Sequence, residues 1–209
     1  MKKLILTGVA IIIAISIALN NSIVATKATQ SDVASKLIRF HVIANSDDEI
    51  DQALKLKVRD SVLKYVSPKL VDSKSIEESR KIINNEDKNI KKIAQTIINK
   101  NGFKYTVSTA LSQEYFPVKT YGNITLPQGM YEAYRIIIGL GKGQNWWCVM
   151  FPPLCFVDIT RGSLSFDKTK TEMKSVLSDD EYKLVDNTLN SKKIIVRFKI
   201  GEIFSKLFS

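Results

Sequence analysis

Residues 37–49 read Leu37-Ile38-Arg39-Phe40-His41-Val42-Ile43-Ala44-Asn45-Ser46-Asp47-Asp48-Glu49. The first eight are mostly apolar, with β-branched and aromatic side chains, which is the composition of a strand. The polar run after Ala44 ends that strand. Ser46 with Glu49 three residues later fits a capping box, so a helix should begin there. Leu54, Val58, Val62 and Tyr65 then recur on one helical face up to Pro68.

Further along, Ser75 with Glu78 repeats the capping pattern, and Ile76, Ile83, Ile90 and Ile97, joined by Ile93, supply one apolar face. Asn101-Gly102 is a natural left-handed stop. Tyr105, Val107, Thr109 and Leu111 alternate with polar or small residues, as in a half-buried strand, with Tyr115–Tyr121 as its partner. Residues 124–128 read as a loop or short strand. Tyr131–Ile138 and Asn145–Phe151 are strand-like, and the glycine-rich stretch Gly139–Gln144 between them reads as a hairpin loop. Pro152-Pro153 stops the second strand.

After Asp158 the pattern turns helical, with capping signals at Thr169/Glu172 and Ser178/Glu181. Met173, Val176 and Leu177, then Tyr182, Val185 and Leu189, form the buried faces. At the C-terminus, Val196, Phe198 and Ile200 alternate like a strand, whereas Val196, Ile200, Ile203 and Leu207 fit a helix. The late apolar positions favour a terminal helix despite Gly201. The order predicts an α+β fold: a mainly antiparallel sheet of about four to five strands with helices packed on one face.

In front of this body, Met1-Lys2-Lys3 precedes an apolar run from Leu4 to Leu19. A basic leader before such a run marks a secretory signal or an N-terminal membrane anchor. As a helix the run rises about 24 Å, a little short of the roughly 30 Å hydrocarbon core. Thr26-Lys27-Ala28 offers an imperfect small-x-small cleavage site after Ala28, so cleavage and retention are both open. The expected organisation is a leader over 1–28, a polar tether over 29–36 and one extracytoplasmic domain over 37–209, outside the membrane by the Lys2/Lys3 asymmetry.

The chain of 209 residues carries a net charge of +10, and 28 basic against 21 acidic residues remain beyond residue 28. That excess suits anionic surfaces. No basic run of five residues occurs, and no basic helix with interleaved aromatics, which argues against nucleic acid.

Candidate chemistry is sparse. His41 is the sole histidine and sits between Phe40 and Val42, the setting of a core residue; as a general base it would need a nucleophile, which only Cys148 or Cys155 could supply. Two cysteines and one histidine without close spacing do not make a zinc site. Asn45–Glu49 lacks the glycine a calcium loop needs, since Ile50 stands there. Gly139-Leu140-Gly141-Lys142-Gly143 fails phosphate-loop spacing and lies between strands. No cofactor, metal or small-molecule substrate is expected. In an exported chain Cys148 and Cys155 permit one disulfide, with two reduced, buried thiols as the alternative. Trp146 and Trp147 are adjacent, so they point to opposite strand faces, and an outward one beside Met150 or Phe151 could anchor a partner unless a helix covers both.

Three segments carry a resemblance: residues 38–47, residues 51–60, and the long run Gly141-Lys142-Gly143-Gln144-Asn145-Trp146-Trp147-Cys148-Val149-Met150-Phe151-Pro152-Pro153-Leu154-Cys155-Phe156-Val157-Asp158. Over roughly residues 35–160 the chain resembles the stage II sporulation protein R family. The resemblance implies a non-enzymatic signal made in the forespore and exported between the two sporulation membranes. There it would trigger a membrane-embedded aspartic protease of the mother cell that matures the sigma-E precursor. The expected partners are that protease and, during export, the membrane. The expected receptor surface is Asn45, Asp47 and Asp48 with Trp146, Trp147 and Phe151, polar strand ends and aromatics being usable contacts. Two other readings stay open: an envelope hydrolase or acyltransferase using a cysteine with His41, and a membrane-tethered envelope-binding domain.

Overall fold

A computed structural model of the chain describes residues 28–156 and 166–188. The predicted leader helix and terminal helix lie outside the described residues. In chain order the elements are α1 (Gln30–Ala34), β1 (Ile38–Ile43), α2 (Glu49–Leu70), α3 (Ile76–Lys100), β2 (Val107–Phe116), β3 (Lys119–Tyr121), β4 (Ile124–Leu126), β5 (Gly129–Ile138), β6 (Asn145–Phe151), a 3₁₀ turn (Leu154–Phe156), α4 (Phe166–Val176) and α5 (Asp179–Val185).

The fold is α+β, built on a four-stranded sheet of order β2-β5-β1-β6 and a separate β3–β4 ribbon. β2–β5 and β1–β6 pair antiparallel, but the central β1–β5 pair is parallel, from Ile38↔Glu132 to Ile43↔Ile137. The sheet is therefore mixed, antiparallel in two of its three pairings, and Gly139–Gln144 is not a hairpin loop. It crosses the end of β1, donating from Lys142 N–H to Asn45 O (3.1 Å) and from Gly143 N–H to Ala44 O (3.0 Å). The reason lies in β1 itself. Residues 38–42 are buried on both sides of the pleat, so the strand needs neighbours on both edges and helices or ribbon on both faces.

One face of the sheet is covered by α2 and α3. Leu54, Val58, Val62 and Val66 of α2 and Ile83, Ile90, Ala94 and Ile98 of α3 are buried against it. Polar bonds fix the docking: Tyr134 Oη donates to Asp87 (2.9 Å), and Arg80 makes a two-pronged ion pair with Glu132 (2.8 and 2.9 Å). α1 packs on β5, and α5 packs on β4.

Local signals diverge from the sequence reading in four places. Asp48, not Ser46, is the N-cap of α2, because Ser46 Oγ is turned inward to Asp51 (2.7 Å). Pro68 sits inside the last turn of α2, which runs on to Leu70. Thr169 is buried within α4 instead of capping it. The tether expected at 29–36 is ordered: Thr29 and Asp32 form a capping box, Val33 is fully buried, and Lys36 pairs with Glu181 at 2.6 Å. The polar residues there are the outward side of a short capped helix. Ser75 caps α3, and Ser178 with Glu181 forms the expected box on α5.

Candidate functional site

The C-terminal end of β1 is built as an interlocked pair of loops. Asn45 Oδ1 accepts from Leu140 N–H (3.0 Å), and Asp47 Oδ1 accepts from Gln144 N–H (2.7 Å). Asn45 Nδ2 and Ser46 Oγ both donate to Asp51 Oδ2 (2.8 and 2.7 Å). Burial would raise the Asp51 carboxyl, but these donors more than offset it and hold it below its ordinary value. Lys55 Nζ donates to Gln144 O (3.0 Å), and burial, aided by Arg59, pulls its ammonium down. Gly143 is needed for close approach: a Cβ there would overlap the Ser46 carbonyl. At this end Asp47 and Asp48 are exposed, and Ile50 and Leu140 are 64% and 72% exposed.

Trp146 and Trp147, one step along β6, do point to opposite faces. Trp146 meets Phe40 edge-on (5.9 Å) under the Arg59 guanidinium (4.9 Å). Trp147 stacks on His41 (4.9 Å, 7° between planes) on the other face. Both indoles are half-buried. Phe151 belongs to neither group. It lies opposite Ile38, at the far end of β6, and only 4% of it is exposed, so it cannot offer the contact expected of it.

The face bearing Trp147 has a centre that the sequence did not announce. Arg39 is fully buried and has no carboxylate within ion-pair distance among the described residues. Its Nε donates to Cys148 O (3.1 Å) and its Nη2 to Tyr121 Oη (2.9 Å), while Nη1 has no hydrogen-bond partner among the described residues. Three rings surround the guanidinium: Phe116 at 4.2 Å, Tyr131 at 4.9 Å and Tyr121 at 5.6 Å. Burial lowers its proton affinity, and Tyr121 and Tyr131 offset this in part; the faces of the three rings attract the cation. Next along the strand on this face, His41 Nδ1 meets Asn145 Oδ1 at 3.2 Å and Nε2 has no partner among the described residues, with burial holding the imidazole below its usual value. Arg135, the cross-strand neighbour of His41, pairs with Glu114 at 2.9 Å. Arg39 was hidden in the sequence as one polar letter in an apolar strand. Its single signal was a charged residue inside a run too apolar to have a solvent face.

Cys148 and Cys155 are joined by a disulfide, with Cα atoms 5.8 Å apart. Register places Cys148 opposite Phe40 and His41 opposite Trp147, so Cys148 and His41 project to opposite faces of the sheet. A sulfur held in a disulfide and facing away from the imidazole is no thiolate nucleophile, which removes the hydrolase arrangement for Cys148. Among the described residues no three His, Cys, Asp or Glu side chains gather as metal ligands, and no helix is long and apolar enough to cross a membrane.

The family described as stage II sporulation protein R matches residues 34–161. The stage II sporulation protein R of Bacillus subtilis (strain 168) is 37% identical over 187 residues, covering 85% of this chain and 84% of that protein. No solved structure matches. The matched region spans β1, the interlocked loops, both tryptophans and the disulfide, and on these grounds the chain belongs to the stage II sporulation protein R family, proteins of sporulation.

Proposed function

We propose that this protein is an exported sporulation signal that acts by binding. It leaves the forespore through its leader and engages the outward side of a membrane-embedded aspartic protease of the mother cell. The protease then matures the sigma-E precursor. The observation that carries this reading is the 37% identity to stage II sporulation protein R along most of both chains. A disulfide suits an oxidising space outside the cytoplasm. A binding signal works by preferring the receptor's active state, since only differential affinity shifts such an equilibrium.

The contact surface we assign is the interlocked loop end, Asp47, Asp48, Ile50 and Leu140, together with Trp147 of β6. Exposed acidic and apolar side chains meet at the loop end, and the half-buried indole is an aromatic contact on a face of the sheet. Deleting the gene should abolish sigma-E precursor cleavage, read by immunoblot, and the full chain should restore it. Asp48→Lys and Leu140→Asp touch no internal side-chain bond of their own. Each should cut cleavage by about tenfold, the effect of losing ~1.4 kcal/mol of contact; Leu140→Asp should leave melting unchanged, and Asp48→Lys should lower it slightly, because Asp48 is the N-cap of α2. Trp147→Ala should do the same at some cost in stability. Normal cleavage in the deletion strain sinks the function; full activity in all three variants sinks the surface alone.

A further inference from the structure

β2 forms one edge of the sheet, ten residues long, and no strand pairs with its outer side among the described residues. Which of its amides face outward follows from one bond. Gly139 N–H donates to Thr106 O at 2.8 Å, which makes 106↔139 a hydrogen-bonded pair in the register that continues as Val107↔Ile138. Backbone groups of Ser108, Ala110, Ser112 and Glu114 therefore point at β5, and those of Val107, Thr109, Leu111, Gln113 and Tyr115 point out.

The first outward position is already plugged. Gln95 of α3 accepts from Val107 N–H (3.1 Å) and donates to Tyr105 O (2.8 Å), imitating a paired strand with its side-chain amide. Among the described residues nothing does so from Thr109 to Tyr115. Nor does the edge carry the usual guards: it has no proline or lysine and a single charge, Glu114, which is tied to Arg135. At its far end Tyr115 and its cross-strand partner Met130 are 58% and 50% exposed on one face.

The flank of α3 that reaches this edge identifies the occupant. Lys91 and Lys88 stand four and seven residues before Gln95, on the same side of the helix, and both are exposed. At ~1.5 Å per helical residue they lie alongside the open amides beyond Val107. We propose that the β2 edge is a peptide-docking site that accepts an extended acidic segment of a partner protein as a fifth strand. Its backbone would pair with Thr109–Tyr115, and acidic side chains on its α3 side would meet Lys88 and Lys91. A second copy of this chain fits less well, because two bodies of the same strong positive charge repel and the facing strand would bring no acid to the lysines. This edge is at the opposite side of the sheet from β6 and does not depend on the loop-end surface.

The test uses the full-length chain in detergent micelles and a fluorescent peptide, Glu-Thr-Glu-Val-Glu-Thr-Glu-Val, with a Lys-for-Glu control, read by anisotropy. The acidic peptide should bind and the basic one should bind at least about tenfold more weakly. Gln113→Pro removes an outward N–H while sparing the β5 ladder, and should weaken binding about tenfold at an unchanged melting temperature. Lys88→Glu with Lys91→Glu, on an exposed helix flank, should invert the peptide preference, and decides the matter if the proline variant does not fold. No preference between the peptides, or full affinity in a folded Gln113→Pro chain, overturns the proposal. Sedimentation showing a dimer that Gln113→Pro dissolves, without peptide binding, overturns it in favour of self-pairing.

Discussion

Arg39 is a cation with no anion beside it among the described residues, enclosed by Phe116, Tyr121 and Tyr131, and that arrangement sets the conditions for its neighbour. His41 lies on the same face, buried, stacked on Trp147 and tilted against Phe116 (5.4 Å to the latter). A second charge there would have little solvent and a repelling guanidinium on the same strand, with Arg135 across from it; the hydrogen bond to Asn145 and the charge of Glu114 pull the other way. Burial is the main cause of its lowered proton affinity. The unfolded chain therefore binds a proton at His41 more readily than the folded one. Stability is full above the unfolded value near pH ~6.5 and falls as pH drops from there through the lower folded value, by up to ~1.4 kcal/mol per pH unit. Glu86, pushed down to about 2 by bonds from Asn89, Tyr65 and Lys69, loses its contribution only below the ordinary carboxylate range, so the two windows separate. Urea unfolding between pH 7 and 5 should show the slope in the native chain and not in His41→Phe; equal slopes would count against a neutral buried imidazole. The sequence placed His41 as a core residue because its neighbours are apolar. It could not show that Arg39 shares its face, since which rings surround a side chain is a matter of strands far apart in the chain.

Among the elements, β1 and α2 were legible and the link between β5 and β6 was not. The strand run 37–44 and the helical face from Leu54 depend on local periodicity, which the fold keeps. A glycine-rich stretch between two strand patterns fits any tight connection, and local pattern cannot reveal that β1, a hundred residues earlier, is inserted between them. What fixes this crossover is backbone contact: Gly143 lies so close to Ser46 that the added methyl of Gly143→Ala would strike its carbonyl. Backbone cannot swing aside as a side chain can, so the variant must displace the loop. A loss of ~1–3 kcal/mol is expected, the range for overpacking. The bonds from Lys142 and Gly143 to Asn45 and Ala44 should weaken first, so hydrogen exchange at these two amides should rise before the global melt changes much. Unchanged protection at both would mean that the loop is held elsewhere.

For the molecule as a whole, covalent chemistry and compartment are coupled. Cys148 ends in β6 and Cys155 in the turn that follows, and the bridge between them closes an eight-residue ring at the edge of the core. On the loop-entropy account such a ring contributes about 2.5 kcal/mol by restricting the unfolded chain. That contribution exists only where the bond persists, and the cytoplasm keeps thiols reduced. If the leader carries the body outward, protein taken from sporulating cells and alkylated before reduction should carry no label on Cys148 or Cys155. The same chain lacking residues 1–28, held in the cytoplasm, should carry two. The cytoplasmic form should also unfold at lower urea, by the equivalent of about 2.5 kcal/mol, and Cys148→Ala with Cys155→Ala should reproduce that loss in the exported form without adding to it under reducing conditions. Two labelled thiols on the protein recovered from the sporulating cell would break the link at its base: the body would then be stable without its bridge, and the disulfide would no longer argue for an address outside the membrane.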